Sequence, residues 1–146
     1  MAETKYAENV TTIPFIKPEN TLQGAQSAIL SGGTTTPQLK GMNLTIMYGS
    51  FKEPGGMGFI PGRPHVHGFD EVMLFIGADT NDLSKLGGEI EVSLGEEEEK
   101  HIISEPTAIL VPKGLPHLPA VIKRVYDPFL FMTVSLNQIL EFTRVP

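Results

Sequence analysis

The sequence contains no cysteine and no long uninterrupted apolar run. The absence of cysteine excludes disulfides, thiolate metal sites and cysteine nucleophiles. No apolar run approaches the length of about 20 residues that a membrane-spanning helix needs. Residues 1–5 lack the charged-then-apolar layout of a signal peptide. We therefore expect a cytoplasmic protein that has no membrane partner.

Positive charge is also scarce. The chain carries 11 Lys and Arg against 17 Asp and Glu, a net charge of −6, and has no basic cluster. Nucleic-acid binding depends on neutralising phosphates, so this composition argues against a nucleic-acid partner. The longest charged run is the four glutamates at residues 96–99, which follow Gly95 between two apolar runs. We predict a solvated hairpin tip there, with cation binding as the less favoured interpretation.

Catalytic motifs that work without a metal are missing as well. The chain has no G-x-S-x-G nucleophile elbow and no glycine loop that would cradle phosphates. Since cysteine is also absent, catalysis on this chain would have to rely on a metal. The length of 146 residues, 40% of them apolar, suffices for one core and is too short for two. We therefore predict a single domain without an internal linker.

Three of the four histidines fall in two short motifs. The first, HVHGFDE, spans residues 65–71, and the second, PKGLPH, spans residues 112–117. Neutral imidazole and carboxylate together suit divalent first-row metals. The sequence therefore predicts a metal site, and its ligands are His65, His67, Glu71 and His117. We interpret the fourth histidine, His101, as a strand or hairpin residue with no metal role.

The spacing within each motif has a geometric interpretation. In an extended strand the side chains alternate between faces. The three ligands of the first motif are all at odd-numbered positions, so all three are able to point inward. In the second motif Pro112 ends an apolar run, Gly114 permits a tight turn and His117 begins the returning strand. Such a hairpin aims His117 back at the first motif. The competing interpretation is that these histidines are ordinary buried polar residues, and it is weaker because both motifs occur together.

The rest of the pattern is nearly all strand. Alternate positions in residues 42–48 are apolar, which is the period of a half-buried strand, and they are Met42, Leu44, Ile46 and Tyr48. Residues 72–76 are apolar at both odd and even positions. We therefore expect both faces of that strand to be covered, one by the core and one by a partner sheet or subunit. Short strands separated by Gly and Pro predict a sandwich or a barrel.

Two stretches fit this pattern less well. Residues 1–36 mix prolines and glycines with apolar residues and predict an arm with one or two strands. Residues 78–88 are rich in turn formers, and we favour a plain connecting loop over a helical turn from Asp82. The arm and the doubly apolar strand together predict a homodimer formed by sheet packing.

The two histidine motifs resemble those of the cupin superfamily. The first cupin motif contains an H-x-H pair followed by a glutamate, as in HVHGFDE, and the second contains P-x-G-x-x-H, as in PKGLPH. The resemblance covers roughly residues 40 to 136 and departs from the family pattern at Phe59, Gly77, Pro106 and Val121. It implies an all-β fold, the double-stranded β-helix or jelly-roll barrel. Residues 37–146 would form the barrel, and residues 1–36 would form an N-terminal arm that packs on the barrel or on a partner subunit.

The resemblance also implies a class of function. We expect a small metal-binding protein that holds one divalent ion of Fe, Mn, Ni, Co or Zn and acts as a dioxygenase, isomerase or lyase on a small oxygenated or anionic molecule. The alternatives are a non-catalytic sensor that binds a small molecule or carbohydrate, and a metal-free barrel. Arg63 and Lys113 are candidate substrate anchors, although solvent-facing loop charges explain them equally well. Tyr48 is the candidate catalytic acid.

Overall fold

The computed structural model describes residues 5–17, 26–33, 37–57, 64–141 and 143–145. Short strands dominate this part of the chain, and they are β1 (Phe15–Ile16), β2 (Ser27–Ser31), β3 (Thr45–Phe51), β4 (Gly55–Met57), β5 (His65–Val66), β6 (Glu71–Gly77), β7 (Gly88–Leu94), β8 (Glu99–Ile103), β9 (Thr107–Val111), β10 (His117–Val125), β11 (Phe129–Ser135) and β12 (Thr143–Arg144). Helix is confined, within these ranges, to the 3-10 segments Ala7–Asn9 and Pro37–Leu39. Neither of these segments is long and apolar enough to cross a membrane.

The described strands form two antiparallel sheets that enclose the core. The first sheet has the order β1-β2-β3-β11-β6-β9, and the second has the order β12-β5-β10-β7-β8, with β4 also paired to β10. The core contains the buried Phe75 and Phe129 from the first sheet and Ile90 and Val92 from the second. Apolar side chains on the inner faces therefore hold the sheets together. The predicted all-β jelly-roll barrel is confirmed.

Strand β3 turns a different face to the core from the one that its sequence pattern indicates. Thr45 and Met47 are buried, at 1% and 6% exposure. Tyr48 lies half-buried on the opposite face, where its ring meets that of Phe15 edge-on at 5.9 Å. Met42, expected within this strand, precedes it and is 53% exposed. The inward side was predicted wrongly because both faces of this strand carry apolar residues.

The outer face of the first sheet is apolar beyond β3. In β6 the buried Met73 and Phe75 alternate with three half-buried residues on the outer face, Val72, Leu74 and Ile76. The inner face of this strand packs in the core, as expected. The described part of the chain covers the outer face of β6 only in part.

The connections between β6 and β8 have the predicted character. Residues 95–98 form the turn between β7 and β8 and the glutamates there are exposed, which confirms the solvated hairpin tip. Residues 78–87, all of which the structure describes, contain turns and no helix, so the plain loop is confirmed. His101 lies exposed on β8, 2.7 Å from the Glu99 carboxylate.

The region predicted as an N-terminal arm contributes β1 and β2. Strand β2 pairs with β3 of the same chain, and β1 pairs with the other edge of β2. Both strands therefore extend the first sheet of their own barrel. The division of the chain at residue 36 stays a prediction, and residues 1–4, 18–25 and 34–36 lie outside the described part.

Candidate metal centre

The two histidine motifs meet at one end of the barrel because β5 and β10 are antiparallel neighbours. His65 on β5 and His117 on β10 are direct cross-strand partners. Their rings lie 4.2 Å apart, centroid to centroid. His117 begins β10, as the sequence predicted, so the turn before it brings the second motif back onto the first.

Two hydrogen bonds donated by backbone N–H groups fasten the second motif to the first. The Gly114 N–H donates to the His67 carbonyl at 3.0 Å, and the Lys113 N–H donates to Asp70 Oδ1 at 2.8 Å. Gly114 has a φ of +84°, which favours glycine because other residues are strained there. The Asp70 carboxylate was not singled out from the sequence, since nothing local indicates that it faces the distant turn at residues 112–116.

The three imidazoles converge in a buried cluster. One ligand atom from each of His65, His67 and His117 lies within 4.8 Å of the others, a grouping that suits a metal ion. The Nε2 atoms of His65 and His67 are 3.2 Å apart. All three residues are buried, at 6%, 5% and 1% exposure. Imidazole is a common ligand of divalent transition metals, so three of them this close offer an ion three nitrogen donors.

Glu71 brings a carboxylate close to two of the three imidazoles, those of His67 and His117. Its Oε2 is 3.4 Å from the His67 Nε2, and its Oε1 is 3.7 Å from the His117 Nε2. The Ser135 Oγ donates a hydrogen bond to Oε2 at 2.8 Å. Ser135 lies directly opposite Glu71 in the pairing of β11 with β6, a register that the sequence alone does not give.

The path between the ligands of the first motif differs from the predicted single strand. Strand β5 ends at Val66 and β6 begins at Glu71, with a bend at residues 68–69 between them. Alternation along one continuous strand from His65 and His67 therefore does not explain why Glu71 points inward. Its position follows from the alternation of β6, in which Glu71, Met73 and Phe75 share the inner face.

Hydrogen bonds fix the tautomers of two of the imidazoles. The His67 Nδ1 lies 2.5 Å from the Glu141 carbonyl oxygen, and the His117 Nδ1 lies 3.0 Å from that of Leu115. A carbonyl oxygen only accepts, so each Nδ1 is the protonated donor. In a neutral ring Nε2 then keeps its lone pair, and the His117 Nε2 has no hydrogen-bond partner among the residues that the structure describes. Buried lone pairs aimed at one point fit a divalent metal ion.

Burial dominates the electrostatics of the cluster. Burial, and then the two neighbouring imidazoles, lowers the pKa of His65 from 6.5 to about 3. Burial likewise lowers the pKa of His117 from 6.5 to about 4. Burial raises the pKa of Glu71, while the hydrogen bond from Ser135 acts to lower it. His65 and His117 are therefore neutral at neutral pH, which is the state that binds metals.

Two other predicted site residues that the structure describes, Tyr48 and Lys113, are not brought to the cluster. The Tyr48 side chain lies on the outer face of β3, against Phe15, so a role as a pocket acid is not supported by its position. Lys113 lies exposed in the turn before His117, and its described contact is made by the backbone N–H. Arg63 lies outside the described residues.

Comparisons with known proteins identify the fold. No family model and no curated protein matches the chain. The structure is similar to procruciferin, an 11S globulin from Brassica napus, at 13% identity and a TM-score of 0.57, over 88% of this chain and 30% of that one. It is similar to oxalate oxidase at 15% identity and a TM-score of 0.55, over 87% and 58% of the two chains. It is also similar to a mutant of oxalate decarboxylase from Bacillus subtilis at 16% identity and a TM-score of 0.54, over 93% of this chain and 33% of that one.

These likenesses concern the fold, since the identities are low. The chain spans between 30% and 58% of the length of the three proteins. Its two sheets form a double-stranded β-helix, which is the fold that the resemblance noted in the sequence implies, so the expected fold is confirmed. The protein is a double-stranded β-helix barrel with a buried cluster of three histidines at one end.

Proposed function

We propose that this protein is a small metal-dependent enzyme acting on a small oxygenated or anionic molecule, by a reaction of the dioxygenase, isomerase or lyase type. The observation that carries the proposal is the convergence of three buried imidazoles, two of which also lie within 3.7 Å of the Glu71 carboxylate. The proposed ligands are His65, His67, Glu71 and His117. They would hold one divalent ion of Fe, Mn, Ni, Co or Zn.

The charge of the donor set favours an anionic substrate. Three neutral imidazoles and one carboxylate leave a divalent ion with one formal positive charge. Such an ion would supply Lewis-acid chemistry, polarising an oxygen atom of the bound molecule. The names of two structural neighbours, oxalate oxidase and oxalate decarboxylase, refer to a small dicarboxylate, which agrees with this substrate class.

Residues around the cluster would shape the binding of the substrate. The Phe69 ring stacks on the His67 ring at 4.7 Å and is itself buried, so it excludes water from one side of that ligand. Ser135 orients the Glu71 carboxylate through its hydrogen bond. Lys113 and Arg63, next to the two motifs in sequence, stay the proposed anchors for a negatively charged group.

Metal depletion and reloading test the proposal. The protein is stripped with a chelator, reloaded with single metals, and incubated with a panel of small hydroxy acids and dicarboxylates, with dioxygen uptake and product formation followed together. We expect turnover to be lost on depletion, restored by one metal, and absent in His67→Ala. The exposed His101→Ala is the matched control and should retain activity. Turnover that survives depletion would contradict the proposal.

A non-catalytic sensor is the alternative. The site would then bind a small molecule or carbohydrate through the same metal and release it unchanged. The near-complete burial of the three histidines is the observation that favours it, because a closed site suits retention of a ligand. Ligand binding that depends on the metal, with full recovery of unaltered ligand, would support this alternative over the enzyme.

We also propose that two copies of the chain pair through the outer face of the first sheet. An apolar row crosses four adjacent strands of that face, and its members are the direct cross-strand neighbours Ile46, Val134, Val72 and Leu110. Leu110 is 71% exposed. Such a face matches itself under two-fold symmetry, so a second copy is the occupant that the row fits. A cytoplasmic location also stays a prediction.

A further inference from the structure

The last residues of the chain lie against the metal centre, although they fall beyond the stretch that resembles the cupin motifs. We define the C-terminal segment as residues 136–141 and 143–145. Its beginning is held by two hydrogen bonds: the Leu136 N–H donates to the Asp70 carbonyl at 3.0 Å, and the Thr45 Oγ1 donates to the Asn137 carbonyl at 2.8 Å. Thr45 is almost fully buried, at 1% exposure, so this anchor is inside the barrel end.

The other end of the segment is held by the first histidine motif. Strand β12 pairs with β5, with Thr143 opposite Val66 and Arg144 opposite His65. The Val145 N–H donates to the Pro64 carbonyl at 3.1 Å. The segment is therefore fastened on both sides of the histidine cluster.

Between these anchors the segment contacts a proposed metal ligand directly. The Glu141 carbonyl oxygen accepts a hydrogen bond from the His67 Nδ1 at 2.5 Å, while the Glu141 residue itself is exposed. The contact is therefore made by the backbone of Glu141. Because a carbonyl oxygen only accepts, it selects the His67 tautomer whose proton is on Nδ1 and whose Nε2 faces the cluster.

We propose that the C-terminal segment is part of the metal centre and that the Glu141 backbone carbonyl is the positioning group for His67. The inference rests on the proposed function only in taking the His67 Nε2 as a metal donor. The tautomer itself is a property of the metal-free protein. Partners of this kind change metal affinity by about 10- to 100-fold when removed.

The first test is the His67 tautomer in the full-length, metal-free protein, measured by NMR with 15N-labelled histidine. We expect the proton on Nδ1 in the wild type. Glu141→Ala keeps the carbonyl and should leave both the tautomer and the affinity for Co2+ unchanged. A proton on Nε2 in the wild type would overturn the proposal, and so would a change of tautomer caused by Glu141→Ala, which would point to the side chain.

The second test loosens the segment without touching the histidines. Thr45→Val removes the hydrogen bond to Asn137 and keeps the side-chain shape, and we expect a mixture of the two His67 tautomers and about a 10-fold loss of Co2+ affinity. Thr133→Val is the matched control, since Thr133 is buried on the same face of the sheet in the next cross-strand row. The same His67 tautomers and the same Co2+ affinity in Thr45→Val and Thr133→Val would overturn the proposal. An Nδ1 proton in a protein that binds no metal would refute the proposed function and the metal role of the segment, while the positioning of His67 by the Glu141 carbonyl would stand.

Discussion

At the scale of single residues, the Ser135 hydroxyl controls how the buried Glu71 carboxylate faces the histidines. Ser135 is fully buried, and its bond to Oε2 leaves Oε1 directed toward His117. We expect Ser135→Ala to lower the affinity for Co2+ by about 10-fold, because the carboxylate loses the donor that orients it. Isothermal titration of the metal-free variant measures the change. Thr133→Val is the control, because it loses a buried hydroxyl two residues away. A Co2+ affinity of Ser135→Ala equal to that of Thr133→Val would contradict this role.

The histidine pKa values predict how stability of the metal-free protein depends on pH. The pKa of His65 is lowered to about 3 and that of His117 to about 4, from 6.5. Between pH 6.5 and pH 4 these two histidines bind more protons in the unfolded chain than in the folded one. The free energy of unfolding therefore falls as the pH falls from 6.5 toward 4. A tenfold difference in proton affinity between the folded and unfolded chains corresponds to about 1.4 kcal/mol. The raised pKa of Glu71 acts in the opposite direction and reduces the total change.

Urea unfolding of the metal-free protein at several pH values between 7 and 4 tests this expectation. The variant carrying both His65→Gln and His117→Gln should show a flatter dependence, because the two depressed groups are gone. His101→Gln is the control, since His101 is exposed and lies away from the cluster. The same slope in the wild type and in the double variant would show that burial does not hold these imidazoles neutral.

At the scale of elements, Asp70 joins the loop after β5 to the turn before β10. Its Oδ1 accepts the Lys113 N–H, and its carbonyl accepts the Leu136 N–H. We expect Asp70→Ala to lower the free energy of unfolding by about 1 kcal/mol. Metal affinity should fall as well, because the turn before His117 loses one of the two hydrogen bonds described between it and the first motif.

Asp79→Ala is the matched control for Asp70→Ala. Asp79 Oδ1 accepts the Asn81 N–H at 2.9 Å in the exposed connection between β6 and β7, away from the histidines. This variant should lose a similar amount of stability and keep the metal affinity of the wild type. Chemical denaturation and metal titration of both variants separate the two effects. Equal metal affinities would mean that Asp70 contributes only to stability.

The sequence predicted the elements that carry a local signal. The turn before His117 and the hairpin tip at residues 95–98 were predictable because proline, glycine and charge mark them within a few positions. Strand β12 was not predicted, since two residues show no period and its pairing with β5 depends on the whole barrel. The hydrogen bond between Ser135 and Glu71 was not predictable either, because it depends on the register between two strands whose bonded residues are 64 positions apart in sequence. Tyr48 was chosen as an acid by residue type alone, and the alternation of β3 puts it on the outer face.

At the scale of the whole molecule, the apolar outer face of the first sheet predicts a dimer. We expect light scattering at micromolar concentration to give twice the mass of one chain. Leu110→Glu should convert the protein to the monomer, because it adds a charge to an interface that excludes water. Ile102→Glu is the control, since Ile102 is 56% exposed on β8 of the second sheet. A monomeric wild type would refute the proposed pairing.

We propose that His65, His67, Glu71 and His117 together hold one metal ion. Metal content per chain, measured by elemental mass spectrometry on untagged protein purified without chelator or metal column, tests it most directly. We predict about one metal ion per chain in the wild type and in His101→Ala, and almost none in His67→Ala and His117→Ala. A wild type that holds no metal even after reconstitution would contradict the claim, as would variants that retain it.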